Sequence, residues 1–591
     1  MSISLCMIVK NEETMLGRCL ESVKHITDEM IIVDTGSTDS TVEIAERYGA
    51  DVYYFPWNGS FSAARNYALE HAKMDWVWIM DADDEFERKD TDKLVDMVSN
   101  KYTATAYYCK TLSYLGDKPD PSNLLCNLNI YLFKNHMGYR FTGDIHEQLY
   151  CSGPKAVSTT AISDMRVYHY GYLNDPERTQ AKRERNVTMI LKELQKRPDD
   201  PFMLYNLGNE YYAQLRTKEA FDCYLKSFES FSRDSGYSSK LVLRLVACCE
   251  ILGKTSEQLE YIETGLKYYP EYTDLEFIRG TVWLQKERYL AAIKSFKKCL
   301  EMGDPPLHIS YIAGVGSYKA AHMLCQIYNN LGDPENMMRF GRIALKLNPG
   351  NRDVLILLAS SMMDKMTPDI AAKKLAGMIP ALPNKNLLLS DAFYALRRWD
   401  IALSFARKAI KKGEDPDTAH YDQGVCLLFL KRYSEACTQF SLLAGSDFED
   451  RASFLSHLCA FFDMEITVTL PRGNSAYFTV LERFEGLMGD KNCPPLATDE
   501  ATSKPYTDPI FELLNILMRT EHFDEFDKAR RLLNLITDDS VLKRLGKIYF
   551  FNGYLKPAYR ELERSIKLTG KTDAEALRMM KYILDAKVLD I

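Results

Sequence analysis

The sequence predicts an α/β domain with a largely parallel sheet, followed by an all-α solenoid of helical repeats. Over residues 1–175, short apolar runs alternate with turns and amphipathic helical patterns, which is typical of parallel α/β sheets. Beyond them only helical patterns remain, and small and aromatic residues recur at a period of about 34 residues. A chain of 591 residues is too long for one hydrophobic core. We therefore expect an α/β domain at 1–175, a charged helical linker at 176–199 and a repeat domain at 200–591.

The first two predicted strands are continuous apolar runs, each followed by polar residues. Residues 3–9 form the first run and residues 30–33 the second, and a helical pattern follows each of them. In parallel sheets, ligands bind beyond the carboxyl ends of the strands, where the strand order reverses. Asn11, Glu12 and Asp34 lie at those ends. We therefore expect one crevice to gather them.

Four carboxylates follow another predicted strand, at residues 76–80, and they are Asp81, Asp83, Asp84 and Glu85. Such close negative charges repel each other unless solvent or a hard cation offsets the repulsion. A polar exit from the strand is one interpretation. The other is a Mg²⁺ or Mn²⁺ site in which Asp81 and Asp83 bridge the metal and a diphosphate.

A predicted helix between these strands carries Arg65 and Asn66 in its first turns, and Ser60 or Ser62 can cap it. The amino end of a helix offers free amide donors, and the planar fork of an arginine matches phosphate oxygens. The segment therefore suits an anion. A surface arginine on an ordinary amphipathic helix is the alternative.

Taken in order, these motifs resemble the inverting glycosyltransferases of family two, which have a GT-A fold. The resemblance covers about residues 1–175, and its motifs are residues 8–12, 34–39, 64–66 and 81–84. It implies a UDP-sugar donor, with Asp34 at the uracil or ribose, and a Mg²⁺ or Mn²⁺ ion. The donor-binding residues that it implies are Asn11, Glu12, Asp34, Gly36, Arg65, Asn66 and Asp81.

The second half of this domain adds a candidate base and a candidate metal ligand. Glu147 ends a segment that resembles the Ile-His-Glu motif of bacterial family members with appended helical repeats, where the glutamate is the expected general base. An inverting transfer needs a carboxylate that takes the proton of the acceptor. Asp144 lies on the same loop and is the alternative base. His169, on a short predicted strand, resembles the histidine that completes the metal shell with Asp81 and Asp83, although a core histidine is the alternative.

The helical second half fits the tetratricopeptide pattern. Such repeats stack into a superhelix whose concave face commonly holds an extended peptide or a partner helix. Stiffening the enzyme or forming a homo-oligomer is the alternative role. An irregular insertion near 466–506 breaks the period. The residues that match the repeat pattern include Gly208, Tyr224, Gly280, Phe296, Gly424, Phe440, Gly546 and Leu562.

The composition argues against several classes of protein. The net charge is −8 and no basic stripe stands out, which argues against a nucleic-acid partner. No apolar stretch reaches about 18 residues, so we expect no membrane span. The 14 cysteines form no Cys-x-x-Cys pair, and we interpret them as reduced core residues. We expect a cytoplasmic enzyme.

The predicted function is that of an inverting hexosyltransferase acting on a UDP-sugar. One hypothesis gives it serine, threonine or cysteine of a peptide or protein as acceptor, as in the bacteriocin S-glycosyltransferases of similar architecture. The alternative is extension of a surface polysaccharide or lipid-linked glycan, with the repeats docking a partner. A third hypothesis is a scaffold with an inactive catalytic domain, and the intact set of motif residues argues against it.

Overall fold

The computed structural model describes residues 2–99, 103–152, 159–173, 176–466, 468, 475–489, 500–536, 538–570 and 573–586, with backbone alone at 176–181, 500–503 and 574. The chain divides into two compact units, Met1–Asn348 and Pro349–Ile591. The predicted boundary near residue 175 lies inside the first unit. Most of the predicted insertion near 466–506 lies outside the described residues.

The amino-terminal part of the first unit is a Rossmann-like α/β domain built on a mixed sheet. Its main sheet has the order β3-β2-β1-β4-β7-β6-β10-β5, with β11 beside β7, and β8 pairs with β9 separately. Strands β1 to β4 are parallel, and β7 runs antiparallel to β4 and β6. The strands are β1 Ile3–Val9, β2 Glu29–Asp34, β3 Asp51–Tyr54, β4 Trp76–Ile79, β5 Asp84–Phe86, β6 Ala106–Tyr114, β7 Leu124–Lys134, β8 Tyr139–Thr142, β9 Gln148–Cys151, β10 Thr160–His169 and β11 Tyr311–Ile312.

Helices cover both faces of this sheet, which explains why β1 and β4 are apolar apart from Ser4. The first helices, α1 Leu16–Val23 and α2 Thr41–Arg47, pack on one face, and α3 Phe61–His71 packs on the other. A fourth helix, α4 Thr91–Val98, follows a 3₁₀ turn at Arg88–Asp90. The strand order reverses at β1, so the predicted crevice lies beyond its carboxyl end.

The rest of the first unit is helical and has tetratricopeptide-like packing. In α6, a Cβ at Gly208 would lie 2.5 Å from the ring of Tyr224, and in α10 a Cβ at Gly280 would lie 2.9 Å from Phe296. Each of these glycines therefore lets an aromatic ring of the next helix approach the backbone. The helices are α5 Pro176–Lys196, α6 Pro201–Ala213, α7 Thr217–Glu229, α8 Ser238–Ile251, α9 Thr255–Tyr268, α10 Thr273–Gln285, α11 Tyr289–Met302, α12 Tyr318–Asn330 and α13 Pro334–Leu347.

The loop between α11 and α12 adds a strand to the main sheet of the α/β domain. Its short strand β11 pairs antiparallel with Leu125 and Cys126 of β7. Next to it, the Tyr318 hydroxyl donates to the backbone oxygen of Ser122 at 2.6 Å. Apolar contacts join the same two parts, because Ile145 packs in one cluster with residues of α5 and α6. The first repeats are therefore fixed to the α/β domain within the first unit.

The second unit is also an array of antiparallel helices. Gly546 of α24 repeats the packing of the first unit, because its Cβ would lie 2.9 Å from Leu562. No helix among the described residues is both long enough and apolar enough to cross a membrane. The helices are α14 Arg352–Met363, α15 Pro368–Met378, α16 Lys385–Ala395, α17 Trp399–Lys412, α18 Pro416–Phe429, α19 Tyr433–Ser441, α20 Glu449–Phe462, α21 Ala476–Met488, α22 Glu500–Arg519, α23 Phe523–Ala529, α24 Val541–Phe551, α25 Leu555–Thr569 and α26 Ala574–Asp585.

Candidate active site

The loops after β1 and β2 are tied together by hydrogen bonds. The buried Asp34 carboxylate accepts from the backbone nitrogens of Gly36 and Ser37 at 3.0 and 3.1 Å. The Asn11 side chain accepts from the backbone of Thr38 at 2.8 Å. Gly36 has a φ of 108°, and no atom lies within 4 Å of where its Cβ would be. The loops therefore form a preshaped edge with open space above Gly36.

Glu12 belongs to the same edge. Its backbone nitrogen donates to the Thr41 hydroxyl at 2.7 Å, which ties the loop after β1 to the start of α2. The structure thus brings together four residues that the sequence assigns to the donor site, namely Asn11, Glu12, Asp34 and Gly36.

Arg65 joins two acidic side chains from different parts of the chain. Its Nε donates to Glu147 Oε1 at 2.6 Å, and its Nη2 donates to Asp81 Oδ1 at 2.8 Å. Burial disfavours the charged guanidinium, but the charges of Asp81 and Glu147 outweigh burial and raise the pKa of Arg65. The helix that carries Arg65 begins as predicted, because the Ser60 hydroxyl caps it by accepting from the backbone of Ala63 at 3.3 Å.

Asn66 makes different contacts from its neighbour. Its side-chain amide donates to the backbone oxygen of Phe141 and accepts from the backbone nitrogen of Phe141, both at 2.9 Å. The amide is therefore engaged by β8, and it fixes the position of the loop that leads to Glu147.

Asp83, Asp84 and His169 form a compact group. One ligand atom from each lies within 4.8 Å of the others. His169 Nδ1 lies 3.0 Å from Asp84 Oδ1 and 3.5 Å from Asp83 Oδ1. The antiparallel pairing of β10 with β5 produces this arrangement, because it places His169 directly opposite Asp84. Asp81 lies outside this group, half exposed, with Arg65 as its ion-pair partner.

Side chains in and beside this group have pKa values that differ from their ordinary values. Burial raises the pKa of Asp84 to about 6, even though the hydrogen bond to His169 opposes the rise. Burial lowers the pKa of His169, but Asp84 and Asp83 outweigh burial and raise it to about 9. Burial also opposes ionisation of Asp81, whereas the Arg65 charge favours it and leaves the pKa of Asp81 below its ordinary value.

The group fits a divalent cation. Two carboxylates and an imidazole are a donor set that Mn²⁺ and Mg²⁺ accept. Burial raises the pKa of Asp84 and the negative charges of Asp81 and Asp83 add to the rise, and a bound cation would offset both effects. The sequence motifs predict Asp81, Asp83 and His169 as metal ligands and do not include Asp84. No sequence signal separates Asp84 from its neighbours, since its place depends on the pairing of β5 with β10.

Glu147 and Asp144 have different surroundings. Glu147 lines a cavity of about 2230 Å³ together with Asp81, Asp84 and His169. Asp144 faces Lys196, with 3.8 Å between Oδ2 and Nζ. Asp144 is not among the described residues that line the cavity.

The same cavity extends along the first repeats. Its lining includes side chains from α6 and α8, among them Tyr205, Tyr212, Lys240 and Arg244. The repeat pattern predicts an acceptor site on the repeats but does not single out these residues.

The sequence of the α/β domain matches a known family. Residues 4–161 match the model of the family described as Glycosyl transferase family 2, and residues 387–447 match that of a tetratricopeptide repeat. The α/β domain is a family 2 glycosyl transferase. The chain is accordingly a glycosyltransferase with tetratricopeptide repeats, as the motifs predicted.

Several curated proteins are similar to this glycosyltransferase over part of its length. The SPbeta prophage-derived glycosyltransferase SunS of Bacillus subtilis is 26% identical over 288 residues, which is 48% of this chain and 67% of SunS. A TPR repeat-containing protein of Synechococcus elongatus is 32% identical over 35% of this chain and 51% of its own length. An uncharacterized glycosyltransferase of Rickettsia conorii is 45% identical over 16% of this chain and 32% of its own.

Proposed function

We propose that this glycosyltransferase transfers a sugar, with inversion and with a divalent metal, from a UDP-sugar to serine, threonine or cysteine of a peptide or protein. One observation carries the proposal. A single cavity of about 2230 Å³ is lined both by Glu147 and His169 and by helices of the first repeats. A cavity of this size has room for an extended peptide as well as the sugar, since drug-sized ligands occupy about 300–1000 Å³.

The donor would lie at the edge formed by the loops after β1 and β2. There Asp34 and Asn11 hold the loop backbone, and the open space above Gly36 suits the uridine. Asp83, Asp84 and His169 would hold Mn²⁺ or Mg²⁺, which when bound supplies positive charge against the diphosphate. Asp81 lies beside them and is oriented by Arg65.

Glu147 is the proposed base. The acceptor hydroxyl or thiol gives its proton to the Glu147 carboxylate while its oxygen or sulfur bonds to the anomeric carbon. The bond from that carbon to the diphosphate oxygen breaks on the opposite face, and UDP leaves with the electron pair. Arg65 holds Glu147 in position through the contact at 2.6 Å. The contact of Asp144 with Lys196, away from the lining of the cavity, supports Glu147 over Asp144.

The test uses the full chain and combines several UDP-sugar donors with several acceptors. UDP-sugars are incubated with Mn²⁺ and either synthetic peptides or polysaccharide and lipid-linked glycan acceptors, and released UDP and product mass are measured. Peptide products that carry one sugar on serine, threonine or cysteine are expected. Transfer to glycans alone would overturn the peptide acceptor and favour glycan extension instead.

A further inference from the structure

The repeat side of the cavity carries two cations whose neighbours do not neutralise them. Lys240 and Arg244 lie four residues apart on α8, so they are on the same face of the helix, and both line the cavity. Both side chains are partly buried. Among the described residues, no carboxylate lies within ion-pair distance of either. Two like charges at this spacing repel each other, so this arrangement costs stability unless an anion is bound.

The carboxylates on the same wall are already engaged. Glu210 pairs with Arg183 at 3.0 Å and accepts from the Asn186 amide at 2.9 Å. Asp200 caps α6 and pairs with Arg197 at 3.2 Å. These groups therefore do not compensate for the two cations.

Aromatic side chains shape the surroundings of Arg244. Its guanidinium lies 4.9 Å from the ring centroid of Tyr212, and Tyr205 also contributes to the wall. Burial lowers the pKa of Lys240, and the charge of Arg244 lowers it further. Both effects indicate a desolvated positive pocket, which strengthens binding of an anion that enters it.

This pocket lies close to the reacting groups. The Tyr172 ring packs edge-on against His169, with 5.0 Å between ring centroids. Tyr172, His169 and Arg244 all line the same cavity. The cationic pocket therefore shares one cavity with His169 of the metal-binding group. Of the described residues, those that line the cavity do not include Asn11, Asp34 or Gly36, so the uridine edge is not part of this cavity.

We infer that Lys240 and Arg244 form a carboxylate-binding subsite for the acceptor, so that the enzyme selects a peptide segment with acidic residues next to the modified one. The inference rests on the proposed peptide acceptor and specifies its chemistry. An acidic side chain of the peptide would be held by the two cations while its hydroxyl or thiol reaches Glu147. A carboxylate between an ammonium and a guanidinium makes charge-assisted hydrogen bonds, which are roughly twice as strong as neutral ones.

The experiment uses three synthetic peptides with the full chain. Each has one serine and one cysteine, which are flanked by glutamates in the first peptide, by glutamines in the second and by lysines in the third. Binding is measured without donor, and transfer is measured with UDP-sugar and Mn²⁺. The glutamate peptide is expected to bind at least about tenfold more tightly than the lysine peptide, and the difference should shrink at high salt. Equal binding of the three peptides would overturn the inference, and that comparison needs no variant.

Variants test whether Lys240 and Arg244 cause the preference for the glutamate peptide. The double variant Lys240→Gln/Arg244→Gln should remove the preference, and Lys240→Glu/Arg244→Glu should reverse it toward the lysine peptide. Lys218→Gln, on the exposed surface of α7, is the matched control and should behave as wild type. UDP affinity should not change in any of them. Loss of UDP affinity with an unchanged peptide preference would assign the pair to the donor phosphates and overturn the inference.

The design also separates this subsite from the proposed function. Binding of the glutamate peptide through Lys240 and Arg244, without transfer to any peptide, would support the subsite and count against the peptide acceptor. Transfer to all three peptides at equal rates would support the peptide acceptor and overturn the subsite.

Discussion

The Nε of Arg65 donates to Glu147 at 2.6 Å, and this contact holds the proposed base to the helix that also orients Asp81. The side chains of Arg65 and Glu147 are 16% and 14% exposed, so the pair is largely withdrawn from solvent. A base that is fixed in this way loses little entropy when the acceptor arrives.

Replacement of the base should stop transfer and leave the donor site intact. Glu147→Gln keeps size and hydrogen bonding but removes the proton acceptor, so kcat should fall by about 10²–10⁴-fold for a hydroxyl acceptor. For a cysteine acceptor the loss should be smaller, since a thiol is partly ionised near neutral pH. Transfer kinetics and UDP calorimetry check both statements. Asp144→Asn is the control, and a loss of transfer there with an active Glu147→Gln would exchange the two roles.

Donor binding should depend on a metal and on the group formed by Asp83, Asp84 and His169. Asp83→Ala removes one of its three members, so UDP should bind at least about tenfold more weakly with Mn²⁺ present. Calorimetry with Mn²⁺ and with a chelator measures this. Glu85→Gln is a suitable control, since Glu85 accepts from the Tyr170 hydroxyl and is not a member of the group. UDP binding of equal strength in chelator would contradict the role of the metal.

Metal affinity should rise with pH. Without metal, the pKa of His169 is raised to about 9, so near neutral pH the imidazole carries a proton that a metal must displace. Mn²⁺ affinity should therefore increase by about tenfold per pH unit between pH 6.5 and 8.5 and level off near pH 9. Below pH 6, protonation of Asp84, whose pKa is about 6, should weaken binding further.

A competition assay against a metal indicator measures this slope. His169→Gln should bind Mn²⁺ more weakly but should lose the pH dependence between pH 6.5 and 8.5. A wild-type affinity that stays constant over this range would mean that His169 is not a ligand.

The sequence predicts the early strands well because both faces of the sheet are covered. A strand buried on both faces needs mostly apolar residues, so β1 appears as the run Ile3–Val9, in which only Ser4 is polar. The carboxyl ends of such strands meet at one edge, which is why Asn11 and Asp34 could be placed together.

Contacts between residues that are far apart in the sequence could not be predicted in this way. The contact between Asp84 and His169 joins residues 85 positions apart, and it depends on the register of β5 against β10. Local pattern does not encode that register. The positions of Lys240 and Arg244 depend in the same way on how α8 meets the catalytic domain. Their spacing on an amphipathic helix looks like an ordinary solvated face.

The glycine of each repeat should be required for stability. A Cβ at Gly424 would overlap the ring of Phe440, so Gly424→Ala should destabilise the second unit by about 1–3 kcal/mol. Its thermal transition should fall by about 2–4 °C per kcal/mol. Gly377→Ala is the control, since nothing lies within 4 Å of its Cβ position, and it should be neutral or slightly stabilising. Equal transitions for the two variants would mean that the packing at Gly424 relaxes without cost.

The solubility of a truncated chain should depend on whether the fragment keeps the segments that complete the catalytic sheet. A fragment ending at residue 199 loses β11 from the edge of β7, and it loses Met203 and Leu207 from the apolar cluster around Ile145. An exposed strand edge and an uncovered apolar surface favour aggregation. A fragment ending at Asn348 keeps both, so it should stay in solution, bind UDP with Mn²⁺ and hydrolyse the UDP-sugar slowly at the rate of the full chain. Size-exclusion chromatography, calorimetry and UDP release compare the two fragments. A monomeric and fully active 1–199 fragment would show that the first repeats do not stabilise the catalytic domain.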